Sequence, residues 1–210
     1  MLGDLTLDVL LAADDHSPAD DRLLDAAREM FTLVGIKRTS TDDIARRAEV
    51  NRVTLYRRLG SKDQIIRAVL LRELARLLTR IRDETAAIED FAERVVRAFV
   101  VTVTLFRDNV LLRQSLALDP EESLIWLTRR FGPALDLSVG FVAHHIRLAR
   151  EEAGLPPVRD ESDLDALAAI MVRFIHSLIL TPDAPPRLDT PEQLHAFADR
   201  HLRPLIVGLT

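Results

Sequence analysis

The chain is predicted to be all-α, and three observations predict it. Apolar residues recur at helical spacing along most of its length, and helix-start signals of the cap, proline, acid kind repeat at intervals. Neither a strand pair nor a glycine-rich phosphate loop interrupts them. With 210 residues, 48% hydrophobic and 29% charged, the chain is long enough for one or two domains with a real core.

Residues 1–16 are leucine-bearing but end in a polar run, and are expected to form an arm, disordered or loosely docked. Ser17-Pro18 supplies a cap and a proline at the first helical position. Leu23, Leu24, Ala27, Met30, Phe31 and Val34 continue that helix to Gly35, which suits a left-handed end. Ser40 or Thr41 caps a second helix that buries Ile44, Ala45 and Ala48. A third helix is expected to turn Val53 and Leu55 or Leu59 inward and Arg52, Thr54, Arg57 and Arg58 outward. Ser61 and Gln64 form a capping box that opens a long helix toward Thr85.

The β-branched run Val100 to Thr104 taken alone suggests a strand. Phe91, Val95, Ala98 and Phe99 before it keep helical period, and buried threonine hydroxyls bond back to the i−4 carbonyl, so 86–106 is read as helix. Asp119-Pro120-Glu121-Glu122 starts another helix, Gly132-Pro133 interrupts it, and a further helix runs to about Ala153. Ser162 to Leu180 and Pro191 to Gly208 complete the chain, with Pro204 expected to bend the last helix. The expected domains are a helix-turn-helix head over 17–61 and a helical body over 62–210.

Charge is distributed unevenly. Between residues 37 and 62, Lys37, Arg38, Arg46, Arg47, Arg52, Arg57, Arg58 and Lys62 face only Asp42, Asp43 and Glu49. That balance of +5, in a chain of net charge −5, leaves −10 on the remainder. A basic head on an acidic body attracts phosphate at one end only. Reading DNA requires a helix in the major groove with base-edge contacts near its N-terminus and phosphate clamps beside it. Arg52 suits guanine, Asn51 adenine or phosphate, and Thr54 a thymine methyl or phosphate, while Arg57 and Arg58 add charge to the same face. Thr41, Tyr56 and Lys62 suit backbone contacts.

The stretches LLDAAREMF to Gly35, TSTDDIARRAEV and TLYRRLGSKDQI (Thr54 to Ile65) resemble the TetR family of bacterial transcriptional regulators over about a quarter of the chain. The resemblance implies a three-helix DNA-binding head followed by a helical ligand-binding and dimerisation body. It also implies a double-stranded DNA operator and a small-molecule effector as partners. Glu49 stands where the family usually has glycine, and the family's aromatic near Leu59 is absent. By the same resemblance the last two long helices form the homodimer interface, with Ala166, Ile170, Phe174, Leu178, Leu194, Phe197, Leu202 and Leu205 as candidates.

On the helix from Ser162, Asp165, Arg173, His176 and Ser177 fall in one sector of about 120°. That polar stripe faces either a partner or solvent, or else carries Arg173 or His176 to an internal ligand cavity. Phe106, Trp126, Phe131, Phe141 and His144 are further candidates for a pocket lining, with core packing as the alternative for each. His144 and His145 point about 100° apart and do not grip one ion. With no cysteine and no paired histidine motif, neither a metal nor another cofactor is expected.

No nucleophile stands with a base in a recognisable motif, so an enzyme is not expected. The apolar run Leu164 to Leu180 is too interrupted to span a bilayer, and without a secretory leader the reading is cytoplasmic. The sequence therefore reads as a homodimeric DNA-binding regulator, a repressor released by a small ligand. Two rivals stand beside it: a ligand-independent DNA binder, and a helical enzyme or carrier with a vestigial head.

Overall fold

The computed structural model describes residues 17–209. The expected arm at 1–16 lies outside them. Every regular element among the described residues is helical: α1 (Pro18–Val34), α2 (Thr41–Arg47), α3 (Arg52–Leu59), α4 (Lys62–Thr85), α5 (Phe91–Asp108), α6 (Val110–Leu118), α7 (Pro120–Leu127), α8 (Gly132–Glu152), α9 (Glu161–Leu180), α10 (Pro191–Phe197) and α11 (Arg203–Val207). A π-helical turn, Ala198–Leu202, joins the last two.

The described residues divide into two compact units. One runs through Arg76 and takes in Asp108–Gly132; the other comprises Leu77–Arg107 and the chain from Pro133 onward. The division falls inside α4, and α6 and α7 belong with the head. That differs from a boundary at residue 61.

In the first unit, Leu23, Leu24, Ala27 and Phe31 of α1 pack with Ile44 and Ala45 of α2, Leu55 of α3 and Ile65, Ile66 and Val69 of α4. Leu111 of α6 and Trp126 of α7 join the same core. The cap of α6 is Asn109, whose side chain accepts from the Leu112 amide at 2.9 Å. Polar ties reinforce the apolar contacts. Arg72, only 2% exposed, donates to the carbonyl of Asp21 and to the carboxylates of Asp21 and Asp25, fastening α4 to α1.

A second tie uses Asp119. The cap position of α7 is its own, but its carboxylate does not cap that helix. It accepts instead from the Lys37 amide at 3.0 Å, in the turn between α1 and α2. The carbonyl of Lys37 accepts in turn from Lys62 Nζ at 3.0 Å. Gly35 makes the approach possible: its φ is +96°, and a Cβ there would lie 2.0 Å from an oxygen of Asp119.

In the second unit, α5 and α9 carry the core. Phe91 and Val95 pack with Ala143, Ile146 and Ala149 of α8 and with Leu164, Leu167 and Met171 of α9. Val96, Phe99 and Val103 pack with Ile175, Leu178, Leu188, Leu194 and Leu202. Thr102 Oγ1 donates to the Ala98 carbonyl at 2.6 Å, so the β-branched run lies in a helix with its hydroxyl satisfied inside the turn. Arg150, buried, donates to the carbonyls of Ile206, Leu209 and Pro156 and so holds the end of α11. Pro204 does interrupt the last helix, because a proline lacks the amide that would bond back one turn. The π turn just before it absorbs the mismatch, with the Arg203 amide reaching Ala198.

Gly35→Ala is expected to cost about 2 kcal/mol or more, through a side chain at positive φ and the displaced Asp119 contact. Thermal denaturation measures it. Asp119→Ala in the same chain, which removes the clash, should recover part of the loss rather than add to it.

Candidate nucleic-acid interface

The turn between α2 and α3 sets the geometry of the head. Ser40 caps α2 in a capping box with Asp43: the Asp43 amide donates to Ser40 Oγ at 3.1 Å, and the Ser40 amide to Asp43 Oδ2 at 3.0 Å. At its other end, the Val50 amide donates to the Ala45 carbonyl at 2.9 Å and the Glu49 amide to the Arg46 carbonyl at 3.2 Å. That pair of bonds is a Schellman closure, and it puts Glu49 at the left-handed position, φ +58°. Helix α8 ends with the same two bonds, Leu155 to Arg150 and Gly154 to Glu151, but has glycine there, φ +67°. The backbone at Glu49 therefore adopts the glycine conformation and bears the strain of a side chain in it.

Asn51 caps α3, its side-chain oxygen accepting from the Thr54 amide at 2.7 Å. Leu55 is fully buried and fixes the rotation of the helix. At about 100° per residue, Val53 and Arg57 each lie about 200° from Leu55, on the opposite side. Val53 is accordingly 75% exposed, which corrects the expectation that it turns inward. Leu59 is half-buried.

The structure sorts the eight residues expected to meet DNA. Arg52, Tyr56 and Arg57 are exposed. Arg52 donates to Asp42 and to the Tyr56 hydroxyl, both at 3.3 Å, with its guanidinium 5.2 Å from the Tyr56 ring centre. The Tyr56 hydroxyl also meets Thr41 Oγ1 at 3.3 Å, and Thr41 is buried. Hydrogen bonds from Thr41 and Arg52 hold the phenol pKa below its ordinary value. Thr54 is half-buried, and Asn51 has its oxygen committed to the cap. Arg58 faces away from this surface, donating to Asp20 at 2.9 Å and to Ser17 at 3.1 Å at the start of α1. Lys62 is tied to the Lys37 carbonyl.

Pairing within the head reduces the charge left for a partner. Arg46 pairs with Asp43 and Arg47 with Glu29. Among the described residues Lys37, Arg38 and Arg57 are exposed with no ion-pair partner. Val53 is the surface residue that sequence reading misses. The signal was present, since residues two apart on a helix cannot share its buried face.

The candidates in the second unit also sort. Of the expected interface residues, Ala166, Ile170 and Leu205 are exposed, while Leu178, Leu194 and Leu202 fill the core of their own chain. Phe174 and Phe197 stack on each other at 5.2 Å and on Phe99. Of the expected pocket residues, Trp126 lies in the first unit's core, where its indole donates to Glu122 at 3.0 Å. Arg173 is exposed, as are Asp165 and Ser177, so their stripe faces outward in the single chain. Phe106 and His176 are half-buried. Phe141 is buried, its ring 4.0 Å from that of His145, which His144 meets edge-on. Burial lowers the His145 pKa, against a bond to the Phe141 carbonyl that raises it. No helix among the described residues is long and apolar enough to cross a membrane.

A capped helix standing outward on a tight turn, over a three-helix core, defines a helix-turn-helix protein. Residues 23–69 match the family described as bacterial regulatory proteins, tetR family. Over those residues the chain is similar to that family. It is 35% identical over 99 residues to an uncharacterised helix-turn-helix transcriptional regulator of Mycobacterium tuberculosis, covering 47% of this chain and 49% of that one. It is 31% identical over 104 residues to the transcriptional regulator UidR of Escherichia coli, covering 49% and 53%. The chain thus spans about half the length of these curated relatives. Its fold is similar to that of the TetR family repressor AlkX of Dietzia, at TM-score 0.65 and 19% identity over 92% of this chain and 97% of that one. The R. erythropolis transcriptional repressor QsdR is similar at TM-score 0.62 and 20% identity, over 91% of this chain and 95% of that one.

Glu49→Gly is expected to raise stability by up to about 1 kcal/mol, relief of left-handed strain exceeding the entropy lost by glycine; denaturant titration measures it. A separate expectation concerns acid. The Ser40 hydroxyl, then the Ser40 amide, hold the Asp43 carboxyl below its ordinary value. A lowered folded-state value means the capping box stabilises the head above the ordinary aspartate range and loses that contribution as pH falls below about 4. In thermal melts across that range, Asp43→Asn should show a shallower acid dependence than the parent.

Proposed function

We propose that the chain is a sequence-specific, DNA-binding transcriptional regulator, a homodimeric cytoplasmic repressor that a small molecule releases from its operator. The observation that carries this reading is the outward face of α3, where Arg52, Tyr56 and Arg57 stand exposed beside the cap at Asn51. A helix so presented enters a major groove N-terminus first. Arg57 offers a cation not committed to the chain among the described residues, and Arg52 is held by Asp42 and Tyr56 through exposed contacts that an approaching base or phosphate can replace. Thr41, Asn51 and Thr54 serve backbone contacts at the helix start, while Arg58 and Lys62 serve by holding the head together.

The match of residues 23–69 to a family of regulatory proteins supports the reading, as do the repressors AlkX and QsdR among proteins of similar fold. The exposed Ala166, Ile170 and Leu205 support pairing of two chains through α9 and the C-terminal helices, and Ile170 is 61% exposed. In that dimer the two α3 helices occupy successive major grooves, about 34 to 36 Å apart. An effector binding in the second unit, with Phe106, Phe141, His144 and His176 as its candidate contacts, shifts the population toward another spacing. Its leverage equals its differential affinity for the two arrangements.

The full chain should enrich a defined duplex from a random pool. Arg52→Ala combined with Arg57→Ala should then weaken binding to that duplex at least roughly tenfold at fixed salt. Unchanged affinity would overturn the assignment of this face.

A further inference from the structure

Val53 is the most exposed large hydrophobic residue among those described. Nothing in the head's own folding calls for it. A β-branched residue in the first turn of an exposed helix is a poorer helix former than alanine, and the core is served by Leu55 on the other side. It shares the outermost ridge of α3 with Arg57, one turn further on, so these two side chains stand farthest from the core. Arg52 points to the flank, drawn there by Asp42 and Tyr56.

We propose that Val53 is a base-reading residue that packs on the 5-methyl group of a thymine. The inference rests on the DNA-reading function proposed above and names part of its specificity. Base edges in the major groove present hydrogen-bond donors and acceptors and one apolar group, the thymine methyl. A side chain without hydrogen-bonding capacity at the tip of the reading ridge discriminates among bases through that methyl alone. Position agrees with chemistry, because Val53 is the second residue of α3, and the N-terminal residues of a reading helix meet the base edges.

The test uses the full chain and a duplex enriched from a random pool. Each thymine is replaced singly by deoxyuridine, which lacks only the methyl. The parent should lose roughly fourfold in affinity at one thymine of each half-site, the scale of one buried methyl group. Val53→Ala should bind thymine and uracil duplexes alike. Alanine is the better helix former, and circular dichroism melts check that the head stays folded. If Val53→Ala keeps the parent's uracil penalty, or if no uracil position weakens the parent, Val53 does not read thymine, though the DNA-reading function stands. If no duplex is enriched at all, that function falls and the role of Val53 with it.

Discussion

Burial of Leu55 is the constraint on which the helix-turn-helix head depends. A short helix packed by a few side chains is free to rotate about its own axis unless one residue locks into the core. Leu55 does this among Leu24, Ile44, Ile65 and their neighbours. Once it is fixed, helical geometry decides the rest: Val53 and Arg57 stand outward, Arg52 and Tyr56 take one flank, and Leu59 faces the core obliquely. The cap at Asn51 and the strained turn at Glu49 then set where that helix begins.

The head is held by charges as well as by apolar packing, and this changes what its basic composition means. Arg46, Arg47, Arg52 and Arg58 each meet a carboxylate of the same unit. Four of the eight cations between residues 37 and 62 are engaged in such pairs. The cations left for a phosphate or base are few and specifically placed. Selectivity here would come from the shape of the α3 ridge more than from the total charge. Asp119 adds a different kind of link, since it joins the turn after α1 to the α6–α7 junction, 82 positions along the chain. Movement of that junction must either carry the turn with it or break a charge-assisted hydrogen bond.

Much of this was legible in the sequence. The caps read at Ser17 and at Ser40 or Thr41 are met by the side chains of Ser17 and Ser40, whereas Asn51, read only as a DNA contact, caps α3. The break at Pro204 and the helical reading of the β-branched run followed from local chemistry that the fold respects. Other features were not legible for physical reasons. Asp119 looked like a cap by position, and only the fold brings the Lys37 amide within its reach. The grouping of α6 and α7 with the head is a matter of tertiary packing, which periodicity does not encode. Periodicity likewise identified Leu178, Leu194 and Leu202 as apolar without saying whether they meet their own chain or another. Val53 is the exception: its exposure followed from the same helical period that buries Leu55.

The central proposal is that the outward face of α3 occupies a major groove, twice per bound dimer. Dimethyl sulfate modifies guanine N7 in the major groove and adenine N3 in the minor groove, so protection of an enriched duplex separates the two. The account predicts N7 protection in two blocks with centres about one helical turn, 10 to 10.5 base pairs, apart. A bound complex that leaves N7 reactive, or protects adenine N3 instead, would contradict it.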